Sequence, residues 1–235
     1  MFTLAIETSS KSGSVALLKG DEVAQQRQLD PLVGSARTLV PAIEQIVSDQ
    51  QLRPGQLNLI AVSTGPGSFT GLRVGMTTAK TLAYALSCDI LGVDTLDAIA
   101  AQVPGAIAGE GASELHAVID AQRRELFLAR YEPASDPNAA VFWKRLSETQ
   151  IVAADRWLGQ LTSGTIVTGP ALKRWLGQLP ASVVASPEEC WTPQAATIGR
   201  LGLVAWRSGR RDDLFQIMPT YLRPSYADEK VHGHP

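Results

Sequence analysis

Two short stretches carry residues whose types and spacing could do chemistry. The first is Glu7-Thr8-Ser9-Ser10-Lys11, a carboxylate at the end of an apolar run followed by three hydroxyls and a cation. A carboxylate at a strand end can hold a hydrated cation or accept hydrogen bonds from the turn that follows. We take the second reading, because such a group serves local structure more often than catalysis. Lys11 could attract a phosphate or compensate Glu7, so charge by itself does not exclude anion binding. The second stretch is the turn Gly65-Pro66-Gly67-Ser68-Phe69-Thr70-Gly71. A glycine-rich passage from strand to helix suits an anion at the helix N-terminus. No Gly-Lys-Ser/Thr follows it, and the third glycine of a dinucleotide fingerprint is missing, so neither phosphate motif is present. Ser63, Ser68 and Thr70 have no histidine at a recognisable triad position, which argues against a hydrolase. His116 falls in a strand, and His232 and His234 fall in a polar tail. Cys88 and Cys190 lack metal or redox spacing and read as reduced core thiols.

Both stretches need elements to hold them. Leu57 to Val62 reads as a strand, and a helix runs from about Gly71 to Leu86, with Ser68 or Thr70 as its cap. Along this helix Gly71, Gly75, Ala79 and Ala83 recur every fourth residue and leave one face almost bare. Two readings follow: packing inside one domain, or a close helix crossing between subunits. An earlier helix over Ala36 to Gln50 turns Leu39, Ile43, Ile46 and Val47 to one side, with Pro41 inside it delaying its start or kinking it. Before it, Thr3–Ile6, Ser14–Leu18 and Glu22–Leu29 form a three-strand meander, and Asp89–Val93 with Thr95–Gln102 continues the pattern as strand and short helix. A meander followed by helix–strand–helix predicts a mixed sheet.

The second half repeats this order. Glu114–Ile119 and Glu125–Tyr131 form a hairpin, Ala140–Leu146 a third strand, and Thr192-Pro193 caps a helix ending near Trp206. Arg207, Arg210 and Arg211 at that end suit the helix dipole better than RNA. The hexapeptides Arg156-Trp157-Leu158-Gly159-Gln160-Leu161 and Arg174-Trp175-Leu176-Gly177-Gln178-Leu179 are alike, but with no flanking similarity they do not make a solenoid. The division that follows is 1–104, a small-residue linker 105–113, 114–224 and a tail 225–235. A chain of 235 residues can bury a core, and its formal charge of −2 advertises no global affinity for nucleic acid. No apolar run reaches spanning length, so a cytoplasmic protein away from membranes is expected.

Several of these segments resemble the bacterial TsaB (YeaZ-like) family over nearly the whole chain. They are Leu4-Ala5-Ile6-Glu7-Thr8-Ser9, Gly65-Pro66-Gly67-Ser68-Phe69-Thr70-Gly71-Leu72-Arg73-Val74-Gly75 and Gly92-Val93-Asp94-Thr95-Leu96 in the first half. Ile119-Asp120-Ala121-Gln122-Arg123-Arg124-Glu125 and Pro219-Thr220-Tyr221-Leu222-Arg223 carry it in the second. The resemblance implies an α/β protein of the actin-like, Hsp70-like ATPase fold, with two RNase H-like subdomains of mixed β-sheet and flanking helices. It implies a part in forming N6-threonylcarbamoyladenosine beside the anticodon of tRNA, as a subunit supporting the catalytic paralogue TsaD together with the ATPase TsaE.

The same resemblance bears on whether the chain does chemistry. The TsaD group has two histidines four residues apart directly after the fifth strand, a spacing that binds one metal. Thr95 and Ile99 stand there, so neither a metal nor a catalytic residue is expected, and Ser35 replaces a histidine often found at the first helix. The acidic hairpin loop of the catalytic group is Ser10-Lys11-Ser12-Gly13 here, and the second-half glycine pair that holds adenosine has Thr168-Gly169-Pro170 as its nearest counterpart. A vestigial nucleotide or anion loop of Glu7, Thr8, Ser9, Ser10, Lys11, Gly65 and Gly67 remains, with no intrinsic cofactor and at most a weak or shared nucleotide. The expected reading is a non-catalytic subunit whose partner surface is Leu39, Ile43 and Ile46 with Gly71, Gly75, Ala79 and Ala83. That surface would also serve a homodimer, and tRNA would be reached through the complex. The alternative is a small nucleotide-hydrolysing or phosphotransfer enzyme using Glu7 and the Gly65–Gly71 turn.

Overall fold

The computed structural model describes residues 1–108, 114–134 and 141–223. Strands β1 (Phe2–Glu7), β2 (Ser14–Lys19) and β3 (Glu22–Gln28) form the expected meander. Helix α1 (Ser35–Asp49), strand β4 (Leu57–Gly65), helix α2 (Phe69–Leu86), strand β5 (Asp89–Asp94) and helix α3 (Thr95–Ala101) complete the first half. The sheet order is β3-β2-β1-β4-β5, with β1 antiparallel to β2 and parallel to β4. Helix α1 starts at Ser35 and continues unbroken past Pro41, with Leu39, Ile43, Ile46 and Val47 buried.

The second sheet repeats that plan. Strands β6 (Glu114–Gln122), β7 (Glu125–Pro133), β8 (Trp143–Arg145), β9 (Gln150–Ala153), β10 (Thr165–Thr168) and β11 (Val184–Ala185) give the order β11-β10-β6-β7-β8. The third position is split, because β8 pairs with one end of β7 and β9 with the other. The expected strand 140–146 is thus only three residues long, and its first residue lies outside the described part. Helices α4 (Ala154–Gln160) and α5 (Leu172–Trp175) cover the outer face, and the two alike hexapeptides insert Trp157 and Trp175 into one apolar core there.

The helices do not keep to the expected halves. Helix α6 (Ala195–Arg207), grouped by sequence with 114–224, lies on the first sheet, where Ala195 and Ile198 meet Ala5, Ala16, Leu18 and Ala61. The sequence shows why it comes close. The face of β1, β2 and β4 toward α6 carries Ala5, Ala16 and Ala61, whereas the opposite face carries Leu4, Ile6, Leu17, Ile60 and Val62. A Cβ at Gly202 would stand 2.7 Å from the Ala61 methyl, so bare surfaces meet bare surfaces. In return, α3 sends Leu96, Ile99 and Ala100 into the second sheet against Leu115, Ala117, Ala129 and Tyr131. The 1–104 and 114–224 division therefore needs correcting: each half gives a helix to the other. Residues 105–108 of the expected linker form a 3-10 turn, while 109–113 and the tail 225–235 lie outside the described residues.

A candidate cleft between the two sheets

The C-terminal ends of β1, β4 and β5 meet the turns that follow β6 and β10 across a cavity of about 1130 Å³. Open α/β sheets place ligands at such ends, where backbone groups and loop side chains converge. On the first-sheet wall lie Ser9 to Ser12 and the turn from Pro66 to Arg73; on the second lie Asp120 to Arg123, Phe127, Pro170 and Lys173. Thr220 to Arg223 close one side.

Local sequence explains the first wall. Ser68 caps α2 by accepting from the Gly71 N–H at 3.2 Å, a contact that needs only three residues of chain. The turn is pinned to the first loop, because the Ser68 N–H donates to the Ser9 carbonyl at 2.7 Å. Gly67 lies so close to Ser9 that a Cβ would overlap its backbone. Of the sequence-predicted loop, Ser9, Ser10, Lys11 and Gly67 line the cavity, while Glu7, Thr8 and Gly65 are buried beneath it.

Glu7 is fully buried and accepts from the Ser9 N–H at 2.6 Å, the Ser9 hydroxyl and, at 3.2 Å, the Ser10 hydroxyl. Both carboxylate oxygens are thereby used by the turn. Burial pushes its pKa up to about 7, against the opposing pull of the Ser9 and Ser10 hydrogen bonds.

The bare face of α2 is also turned inward. A Cβ at Gly71 would overlap the Thr8 carbonyl oxygen, and one at Gly75 would overlap the Thr8 hydroxyl. Ala79 and Ala83 are buried, as are Leu39, Ile43 and Ile46 of α1, in the core under the first sheet. The expected partner surface made of these seven residues is therefore corrected. The small volume of Gly71 and Gly75 serves the close approach of α2 to the end of β1 within one chain. What α1 and α2 expose instead is Val40, half exposed, and Tyr84, 70 % exposed.

The segment after β5 is occupied by an ion-pair cluster. Asp94 caps α3 by accepting from the Leu96 N–H at 2.7 Å, and Arg145 of β8 lies 3.1 Å from Asp94 and 2.8 Å from Asp97. Tyr131 donates to Asp97 at 2.8 Å. Burial raises the Asp94 pKa to about 6; the Asp97 charge adds to the rise and Arg145 opposes it. Thr95 and Ile99 are fully buried, and Thr95 borders the cleft with a hydroxyl lacking any hydrogen-bond partner among the described residues. Among those residues no group of three His, Cys, Asp or Glu side chains is close enough to hold a metal. His116 is buried with Nδ1 accepting from Trp157, and burial lowers its pKa.

Sequence reasoning missed the second wall and the strap that closes it. After α6 the chain returns over the first sheet: Asp212 accepts from the Gly92 N–H, Lys80 donates to the Phe215 and Ile217 carbonyls, and the Thr220 N–H donates to the Thr64 carbonyl. It then crosses to the second sheet, where Arg223 donates to the Ala121 carbonyl and pairs with Glu125. The β6–β7 turn so held has Gln122, Arg123 and Arg124 all at positive φ, 64°, 51° and 59°. Three left-handed L-residues in a row cost roughly 1–2 kcal/mol each. The one local signal was the run Gln122-Arg123-Arg124, a hairpin turn without glycine.

Two mixed sheets of the same strand order, exchanging helices across a cleft, define a two-lobed α/β protein of the actin-like ATPase fold. The family described as "TsaD: tRNA N6-adenosine threonylcarbamoyltransferase" matches residues 34–154, and the chain belongs to it as a TsaB/YeaZ-like member. The tRNA threonylcarbamoyladenosine biosynthesis protein TsaB of Escherichia coli (strain K12) is 29 % identical over 238 residues, spanning 99 % of either chain. TsaB of Haemophilus influenzae is 28 % identical over 240 residues, spanning 98 % of this chain and 97 % of that one. The solved structure of YeaZ from Pseudomonas aeruginosa superposes with a TM-score of 0.76 at 26 % identity, covering 94 % of this chain and 99 % of that one. No helix among the described residues is long and apolar enough to cross a membrane.

Proposed function

We propose that the protein is a non-catalytic subunit in N6-threonylcarbamoyladenosine formation on tRNA, binding a TsaD-like catalytic partner and working with a TsaE-like ATPase. One observation carries the reading. The carboxylates that end β1 and β5 are both consumed internally: Glu7 by Ser9 and Ser10, Asp94 by Leu96 and Arg145. A general acid or base must reach a substrate proton, and Glu7 lies beneath the cleft instead of on its wall. The end-to-end likeness to proteins named for tRNA threonylcarbamoyladenosine biosynthesis supports the pathway.

Association then falls to surface that the monomer leaves open. Val40 on α1 and Tyr84 on α2 are exposed, and Leu32 just before α1 is 94 % exposed. Replacing Val40 and Tyr84 together by Asp should weaken binding to the catalytic partner, or to a second copy, on the order of a hundredfold. The melting curve should not move. The function is tested by reconstituting tRNA modification with each component omitted in turn. Transfer should need this chain and the partner together. Robust transfer by this chain alone, or full transfer without it, overturns the reading. Loss of transfer on Glu7→Ala, with the complex intact, would favour the nucleotide-using enzyme instead.

A further inference from the structure

Charge is distributed unevenly over the protein. The chain carries −2 overall, yet the cleft wall holds Lys11, Arg73, Arg123 and Lys173 against the carboxylate of Asp120, with Arg223 already paired to Glu125. Lys11 comes from the first lobe and Lys173 from the second. Neither ammonium group makes an ion pair or hydrogen bond among the described residues, so both are available to a ligand. Like charges gathered on facing walls repel each other and are stabilised only when an anion lies between them.

Beside them stands an aromatic platform. The Arg73 guanidinium lies 3.9 Å above the Phe69 ring, Phe69 and Tyr221 sit 4.8 Å apart, and Tyr221 is 43 % exposed. A stacked guanidinium with an open aromatic edge is the surface on which unpaired bases rest. The strained β6–β7 turn brings Arg123 to the same cavity, and strain held by a cage of contacts is characteristic of binding sites.

We propose that this cleft binds single-stranded RNA, the loop of the tRNA to be modified, with phosphates between Lys11 and Lys173 and a base on the Phe69–Arg73–Tyr221 platform. The proposal deepens the function above by giving this subunit a direct contact with the tRNA. RNA is preferred to a free nucleotide on two grounds. A bound nucleoside triphosphate usually needs a carboxylate for its magnesium; Glu7 is sealed off with both oxygens taken, and Asp120 accepts from the Gln122 N–H and faces Arg174. The cavity, about 1130 Å³, also exceeds the usual size of a small-molecule site, roughly 300–1000 Å³.

The test is a titration of a labelled anticodon stem-loop RNA against the chain alone at low ionic strength and against the reconstituted complex, each over a range of salt. For the wild type, log affinity should fall linearly with log salt. Lys11→Ala with Lys173→Ala removes two phosphate contacts and should flatten that slope by about 1.4, with affinity on the order of tenfold weaker at low salt. Tyr221→Ala should weaken binding while leaving the slope unchanged, because it removes stacking and no charge. Size-exclusion of the double variant with its partner serves as the control, since neither lysine lies on α1 or α2. Unchanged affinity and slope in the double variant, or no RNA binding in either setting, overturns the inference. It is equally overturned if ATP binds stoichiometrically and the lysine changes abolish that binding alone. These failures leave the omission assay untouched, so they are separable from failure of the proposed function.

Discussion

The two lobes share one strand order and solve the same covering problem differently. The first sheet is covered by long helices of 15 and 18 residues, and α2 reaches β1 only because Gly71 and Gly75 are bare. The second is covered by helices of seven and four residues, and two tryptophans fill the space that longer helices would take. A lobe built on close helix approach tolerates no added atom at the crossing, whereas one built on large rings tolerates no loss. Long helices also leave a second, outward side for a partner; the short ones leave very little.

The sharpest way to break this contrast is at the crossing. Gly71→Ala places a methyl against the Thr8 carbonyl oxygen, which cannot rotate away, and should cost about 3 kcal/mol or more. The loss should show as a lowered urea midpoint of the monomer, with any loss of assembly merely following loss of folded protein. A stable Gly71→Ala monomer that fails to associate would return the bare face to the interface. In the second lobe the mirror experiment is a truncation. Trp157→Ala should cost about 3–5 kcal/mol, because the ring is 1 % exposed and its loss opens a cavity.

Glu7 sharpens the comparison at the cleft edge of the first lobe. Its pKa is raised on folding from 4.5 to about 7, so the folded state binds its proton more tightly than the unfolded chain. That contribution is fully present below pH 4.5 and is lost as pH rises to about 7, amounting to about 3 kcal/mol at most. Asp94 acts in the same direction over a lower window, ending near pH 6. Denaturant titrations at pH 5 and pH 8 should show the decline in the wild type and a smaller one in Glu7→Gln. An equal decline in both would mean that Glu7 does not report its burial. The smallest effect belongs to the second lobe. Gly159 in α4 faces open space at ordinary φ, so Gly159→Ala should stabilise by about 0.5–1 kcal/mol, read as a small rise in melting temperature.

Local contacts were legible in the sequence. Ser68 caps α2 from three residues away, the three meander strands pair in sequence order, and the turn Gly65-Pro66-Gly67 sits where the strand-to-helix passage was expected. The α6 cap was not legible. Thr192-Pro193 looked sufficient, yet the helix begins at Ala195, whose N–H goes to the Ser14 hydroxyl, while the Ala196 N–H goes to Gln26. Those acceptors lie in the first meander, about 170 to 180 residues away in the chain, and they exist for α6 only once it lies on the first sheet.

What the sequence by itself determined is whatever depends on near neighbours: the strands, the long helices, the turn, and an interior able to close around them. Spacing also revealed that α2 has a bare face. Only the tertiary structure decided what fills it, because a row of small residues states that something comes close without stating whether that is β1 or another chain. The same holds for the cleft. Lys11, Arg73, Lys173 and Arg223 are scattered over 213 positions in a chain of nearly balanced charge, and only folding brings them to facing walls. Electrostatic fields add through space, and sequence separation conceals that sum.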